Sequence, residues 1–404
     1  MNLSDIARFA PHKAQPLSRF AAIDAQGIVD TIQRAMASAR LDTETDLMKN
    51  VNETIRRALG SVGTAPASQV HADAIDAEAR VIEPVHREGR PSVRKPAPAL
   101  PGEFVTRSYT NAVGTRAYKL YVPKSYAGEP VPLVVMLHGC TQNPDDFAAG
   151  TQMNELAERD GFLVVYPAQS KSANGSNCWN WFKSQDQARG SGEPSLIAGI
   201  TREVAANYRV DEKQIFVTGL SAGAAMAVIL GATYPELYAA VGAHSGLPFG
   251  AAHDMPSAFA AMHGRGGTVP GAAQAKPDIP FVPTIVFHGD RDTTVGCGNG
   301  IGIIEQAAAA AATKVSLTKS SAERTAASGR DFSRTVYSDA AGRPQLEQWV
   351  LHGAGHAWSG GSHAGSYTDA QGPGASEEML RFFMAQRAMQ PVPDSNSSAK
   401  KAST

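Results

Sequence analysis

A chain of 404 residues with a formal net charge of -1 and 19% charged residues has room for one large α/β domain with appendages, or for two domains. That charge balance gives no global electrostatic attraction for nucleic acid, and a hydrophobic fraction of 43% is ordinary for a soluble globular protein. Three cysteines, Cys140, Cys178 and Cys297, are too few for a disulfide scaffold and do not form a metal-ligand spacing, so no cysteine-held metal is read; one pair could bridge, leaving one thiol.

The first twenty residues lack a basic segment followed by an apolar core, so no signal peptide is read and the chain as written reads as cytoplasmic. Ile28, Ile32, Ala35 and Met36, then Leu47, Val51, Ile55 and Leu59, recur at helical spacing, with Gly60 as a stop. From Thr64 to Leu100 the composition turns to Ala, Pro and charge, which reads as a linker. Residues 1–101 are therefore expected to be an N-terminal extension, 102–390 the main domain, and 391–404 a disordered tail.

In the main domain, Phe104–Tyr109 and Arg116–Val122 read as an antiparallel hairpin. Leu133–Leu137 and Phe162–Tyr166 are continuous apolar runs typical of strands buried on both faces, separated by a helix over Asp145–Asp160. A helix over Pro194–Tyr208 leads to the strand Ile215–Val217. Further strands are expected at Leu237–Ala243, Thr284–Phe287 and Gln345–Leu351, with helices at Gly300–Thr313 and Ser376–Arg387. Alternating strands and helices predict an α/β fold with a mostly parallel, doubly wound sheet and helices on both faces. Ser245–Phe281, rich in Gly, Pro, Ala and Met, breaks the pattern and reads as an insertion over the site or a surface loop.

The stretch Gln214–Tyr234 carries the chemistry. It is uncharged and long enough to suggest a membrane span, but its β-branched half precedes a Gly-Leu-Ser-Ala-Gly turn and an alanine-rich half, so a strand, a turn and a buried helix fit better. Strand, G-x-S-x-G and helix together are the context of a nucleophile elbow, which leaves Ser221 exposed at a sharp turn. The motif alone recurs by chance in Gly/Ala-rich chains. It gains weight because an acid and a histidine follow in the order Ser, acid, His. Asp292, past the strand Thr284–Phe287, is the preferred acid, with Asp290 its rival; His356, in the glycine-flanked loop after Trp349–Leu351, is the base. A serine hydroxyl needs an imidazole to take its proton, and the acid holds that imidazole's tautomer. The oxyanion donors are expected to be the N–H groups of Ala222 and of Cys140, in the loop after Leu133–Leu137.

The motifs LHGCTQNPDDF, Cys178-Trp179-Asn180-Trp181-Phe182, GLSAGAAMA, FHGDRDTTV and GAGHAWSGG together resemble the polyhydroxybutyrate depolymerase family of esterases, an α/β-hydrolase family, over roughly Gly102–Gln386. The resemblance implies Ser221, Asp292 and His356 as the triad, Cys140 and Ala222 as oxyanion donors, and Trp179, Trp181 and Trp358 as candidate walls of a substrate groove or, equally, core aromatics. The expected activity is cofactor-free hydrolysis of short 3-hydroxyacyl or similar esters through an acyl-enzyme, with no metal. Related members acting on feruloyl or acetyl esters of polysaccharides, and an acyltransferase with the same triad, are the alternatives. The resembling family is largely secreted and its polymer-degrading members carry a signal peptide and a substrate-binding domain, neither of which is read here. The expected partner is the ester substrate, with no nucleic acid and no membrane span. Cys140 and Cys178 are expected to lie close enough to bridge in an oxidising compartment, within Cα distances of roughly 4.4–6.8 Å, and Cys297 to stay a free thiol.

Overall fold

The structure is a computed structural model that describes residues 100–264, 279–312 and 314–387. The helices read near Ile28 and Leu47, the linker and the C-terminal tail lie outside the described residues.

Twelve strands are described: β1 (Glu103–Asn111), β2 (Gly114–Val122), β3 (Val131–Leu137), β4 (Leu163–Pro167), β5 (Val210–Leu220), β6 (Ala240–His244), β7 (Thr284–Gly289), β8 (Thr318–Thr325), β9 (Asp331–Ser338), β10 (Pro344–Leu351), β11 (Trp358–Ser359) and β12 (Thr368–Asp369). The helices are α1 (Pro144–Thr151), α2 (Met153–Asp160), α3 (Gly192–Asn207), α4 (Ala222–Thr233), α5 (Met255–Met262), α6 (Gly298–Ala311) and α7 (Ala375–Arg387). The main sheet has ten strands in the order β1-β2-β4-β3-β5-β6-β7-β10-β9-β8. Strands β4, β3, β5, β6, β7 and β10 run parallel, while β1 and β2 at one end and β9 and β8 at the other are antiparallel. This is the α/β-hydrolase arrangement, extended at one edge by the β8–β9 hairpin. The chain reverses its winding direction between β3 and β5, and ligands on such sheets bind at the carboxyl ends of the strands beside that switch.

The apolar runs read as doubly buried strands divide by parity. Leu133, Val135 and Leu137 of β3 join one core cluster with residues of α3, α4, α5 and α6, whereas Val134 and Met136 join the other with residues of α1, α2 and α7. β4 does the same with Leu163 and Val165 against Val164 and Tyr166. Successive side chains of a strand point to opposite faces, so covering both faces demands an apolar residue at every position.

Three expectations are corrected. The helix expected over Asp145–Asp160 is two helices, broken at Gln152, which has a left-handed φ of 56°. C-terminal residues take the carbonyls there: Ser362 N–H donates to Gly150 O at 2.8 Å and Ser376 Oγ to Thr151 O at 2.6 Å. The strand expected at Leu237–Ala243 starts only at Ala240, because Leu237 and Tyr238 turn back onto Tyr234. Within the stretch read as an insertion or a surface loop, α5 forms, nucleated by a capping box between Asp254 and Ser257 with Pro256 in the first turn.

Candidate active site

β5 ends one residue before Ser221, and α4 begins one residue after it. Ser221 has φ 58° and ψ -119°, a strained conformation for a residue with a side chain, held by its N–H donating to His244 O at 2.9 Å. The flanking glycines are required by close approach. A Cβ on Gly223 would lie 2.0 Å from Leu137 O, and one on Gly219 would lie 2.5 Å from the same atom. The elbow is thus pressed against the end of β3, which brings the Gly139–Cys140 loop beside it.

Asp292 follows β7 and its carboxylate is sealed from solvent. One oxygen, Oδ1, accepts the N–H groups of Thr294 (2.9 Å) and Val295 (2.8 Å). The other, Oδ2, lies 2.7 Å from His356 Nδ1. Burial pushes the Asp292 carboxyl up, but the His356 hydrogen bond and charge, the Val295 N–H and nearby His288 together hold it below its ordinary value. With Nδ1 on Asp292, His356 keeps Nε2 outside that bond. Among the described residues the Ser221 hydroxyl makes no hydrogen bond to that ring.

The neighbouring histidines are engaged elsewhere. His138 Nε2 accepts from Gln169 N–H at 3.1 Å, so its Nδ1 carries the proton and donates to Gly139 O at 2.8 Å. His244 Nε2 accepts from Ser359 N–H at 3.0 Å. Burial pushes His138 down to about 4 and His244 to about 3, and both are neutral structural groups at neutral pH. The rival acid, Asp290, belongs to a different set: its Oδ2 lies 3.0 Å from His352 Nδ1, and His352 Nε2 lies 2.7 Å from Ser333 Oγ. That second Ser-His-Asp chain sits on a strand surface rather than at an elbow, and ties β9 to the loops after β7 and β10.

Ala222 opens α4, where the first N–H groups of a helix have no partner within it and favour negative charge. Cys140 is disulfide-bonded to Cys178 with Cα atoms 4.2 Å apart, slightly below the lower bound expected, and Cys297 is free. Thr141 adopts φ 65°, its N–H donates to Ser176 O at 2.7 Å, and its hydroxyl lies 3.1 Å from the Tyr367 hydroxyl.

The three candidate tryptophans are all buried. Trp179 and Trp358 are 0% and 1% exposed and donate their indole N–H groups to His138 O and Ser376 Oγ, while Trp181 is buried edge-on against Phe182. They are core residues that hold site loops in place. Sequence reasoning missed two residues near the site: His288, whose Nε2 reaches Val295 O at 2.7 Å and lies 3.5 Å from Asp292 Oδ2, and Glu193, buried behind the Cys178 loop. His288 lies inside the FHGDRDTTV motif, but only the fold shows that it faces Asp292. Among the described residues no cluster of His, Cys, Asp and Glu is suited to hold a metal ion, and no helix is long and apolar enough to cross a membrane.

A model of the family described as esterase PHB depolymerase matches residues 116–326. The chain is 33% identical to the poly(3-hydroxyalkanoate) depolymerase C of Paucimonas lemoignei over 260 residues, covering 61% of this chain and 59% of that protein. It is 38% identical to acetylxylan esterase A of Talaromyces purpureogenus over 148 residues, which is 36% of this chain and 37% of that protein. It is also 34% identical over 144 residues to feruloyl esterase B of Neurospora crassa, covering 35% of this chain and 48% of that protein. The chain therefore spans well under two thirds of the length of these relatives. Among solved structures, the acetyl xylan esterase from Aspergillus awamori superposes with a TM-score of 0.54 at 21% identity, covering 70% of this chain and 99% of that one, which supports the fold. With the match extending from the second strand through β8, the chain belongs to the PHB depolymerase family of esterases.

Proposed function

We propose that this protein is a serine esterase that cleaves short 3-hydroxyacyl esters of the polyhydroxybutyrate type through an acyl-enzyme. The observation that carries the reading is the 2.7 Å contact between Asp292 and His356 at the end of the sheet that presents Ser221 on a strained elbow. Ser221 Oγ attacks the ester carbonyl while His356 Nε2 takes its proton. Asp292 stabilises the imidazolium and holds its tautomer, and the N–H groups of Ala222 and Cys140 receive the developing oxyanion. His356 returns the proton to the leaving alcohol, and water, activated by the same ring, releases the acid.

Ser221→Ala is expected to lower turnover of a short p-nitrophenyl ester by roughly 10⁴-fold or more while the fold survives. A variant that retains wild-type turnover would remove Ser221 as the nucleophile and the reading with it. A second reading, deacetylation of a polysaccharide, is favoured by the 38% identity to acetylxylan esterase A. Release of acid from 3-hydroxybutyrate oligomers, compared with release of acetate from acetylated xylan at equal enzyme, separates the two.

A further inference from the structure

We propose that Glu193 is a positioning residue for the oxyanion-binding loop, a role that rests on the esterase reading above. Glu193 lies in the first turn of α3 and is 4% exposed, yet it takes no part in the mechanism. Its Oε2 accepts the Asn180 backbone N–H at 2.7 Å, and its Oε1 accepts the Asn180 side-chain amide at 2.8 Å and the Gln169 amide. The same Gln169 amide donates to Cys178 O at 2.8 Å, and the Gln169 backbone N–H donates to His138 Nε2. Between them, Trp179 Nε1 donates to His138 O at 3.1 Å. Each route from the carboxylate ends on a neighbour of the oxyanion donor: on His138 two residues before Cys140, or on Cys178, to which Cys140 is covalently joined.

The chemistry of the partners explains why a carboxylate stands there. The groups that meet the Glu193 carboxylate oxygens are donors: the Asn180 N–H, two side-chain amides and, at 3.7 Å, the Arg116 guanidinium, with the Asp186 carboxylate as the one like charge nearby. Its own N–H is held by Asp186 Oδ1 at 2.7 Å, which anchors the helix start. An acceptor-only group satisfies all of them, whereas a glutamine turns an amide N–H₂ toward other donors. A charge this deeply buried is costly unless paired and hydrogen-bonded. The return here is a fixed platform under the Gly139–Cys140 turn. Because an oxyanion donor acts only where the alkoxide forms, a small displacement of that platform lowers the rate more than it weakens ground-state binding.

The test uses the full chain with a short p-nitrophenyl ester and counts competent sites with a fluorophosphonate. Glu193→Gln is expected to lower kcat per labelled site by about 10–100-fold with KM changed less than about threefold. Affinity for a trifluoromethyl ketone, which forms a tetrahedral adduct on the nucleophile, is expected to fall in parallel with kcat/KM. If Glu193→Gln does not fold, Gln169→Leu cuts the link between the carboxylate and Cys178 while leaving the Asn180 bonds, and should give the same signature. Restoration of part of kcat by Glu193→Asp supports the role. Wild-type kcat per labelled site in either variant, even with a lowered melting temperature, overturns it and makes Glu193 a purely structural residue. Ser221→Ala run alongside keeps the two ideas apart: full activity there sinks the esterase reading, whereas an inactive Ser221→Ala beside an unimpaired Glu193→Gln sinks only this inference.

Discussion

Asp290 and Asp292 stand two residues apart after β7 and serve different imidazoles, His352 and His356. Asp292 is sealed from solvent, whereas Asp290 is 35% exposed and also binds the Gly353 N–H, so their replacements should diverge. Asp292→Asn is expected to lower kcat by roughly 10⁴-fold, the cost of holding the wrong tautomer in a related triad. Asp290→Asn should cost far less, by loosening one loop. Steady-state kinetics of the two variants decides between the acids, and equal losses would mean that the two loops act as one unit. Asp292 also carries a pH signature. Its folded pKa is lowered, so its contribution to stability is present in full above the unfolded value of about 3.9 and is lost as pH falls through the lower folded value. Denaturation midpoints of the wild type and Asp292→Asn should therefore converge only in strong acid.

At the scale of elements, α7 closes one face of the sheet. Phe383 is fully buried and stacks on Phe216 of β5 with ring centroids 4.9 Å apart and planes within 4°. Phe383→Ala should cost about 3–5 kcal/mol, measured by denaturant unfolding, through lost burial and the cavity left behind. Strands buried on both faces, the elbow helix and α7 were all legible because covering a strand from two sides leaves an unmistakable apolar run. The β8–β9 hairpin was not. Every residue of β8 is exposed, and Thr318-Lys319-Ser320-Ser321 carries no apolar alternation for a sequence reading to find. The site divides in the same way. The proposed triad was named from motifs whose glycines and order speak for themselves. The neighbours of Asp292 and Cys140 depend on contacts such as Gln169 with His138, between residues far apart in the chain. The tryptophans left two readings open because an aromatic in a motif loop looks the same in sequence whether it faces a groove or the core.

For the whole molecule, buried neutral histidines set the acid limit. His138 and His244 are pushed down to about 4 and about 3 by burial, while in the unfolded chain they titrate near 6.5. As pH falls below about 6.5 the unfolded chain takes up protons that the folded one refuses, so stability declines from there until the folded values are reached. The melting temperature should fall steadily between about pH 6.5 and 4. His138→Gln or His244→Gln, if folded, should flatten part of that slope; an unchanged slope in both would place the acid sensitivity elsewhere.

The ten-stranded sheet stops at β8, and among the described residues no further strand pairs with its outer edge. That edge offers a row of N–H and C=O groups to any other extended chain, including β8 of a second copy. Lys319, Glu323 and Arg324 are what such a neighbour would meet first. Exposed charges on an edge strand discourage such pairing, because an incoming strand must desolvate them. Crowded stocks and high salt, which screen those charges, are then the conditions under which this protein is most prone to come out of solution, at temperatures where every chain in the sample is still folded.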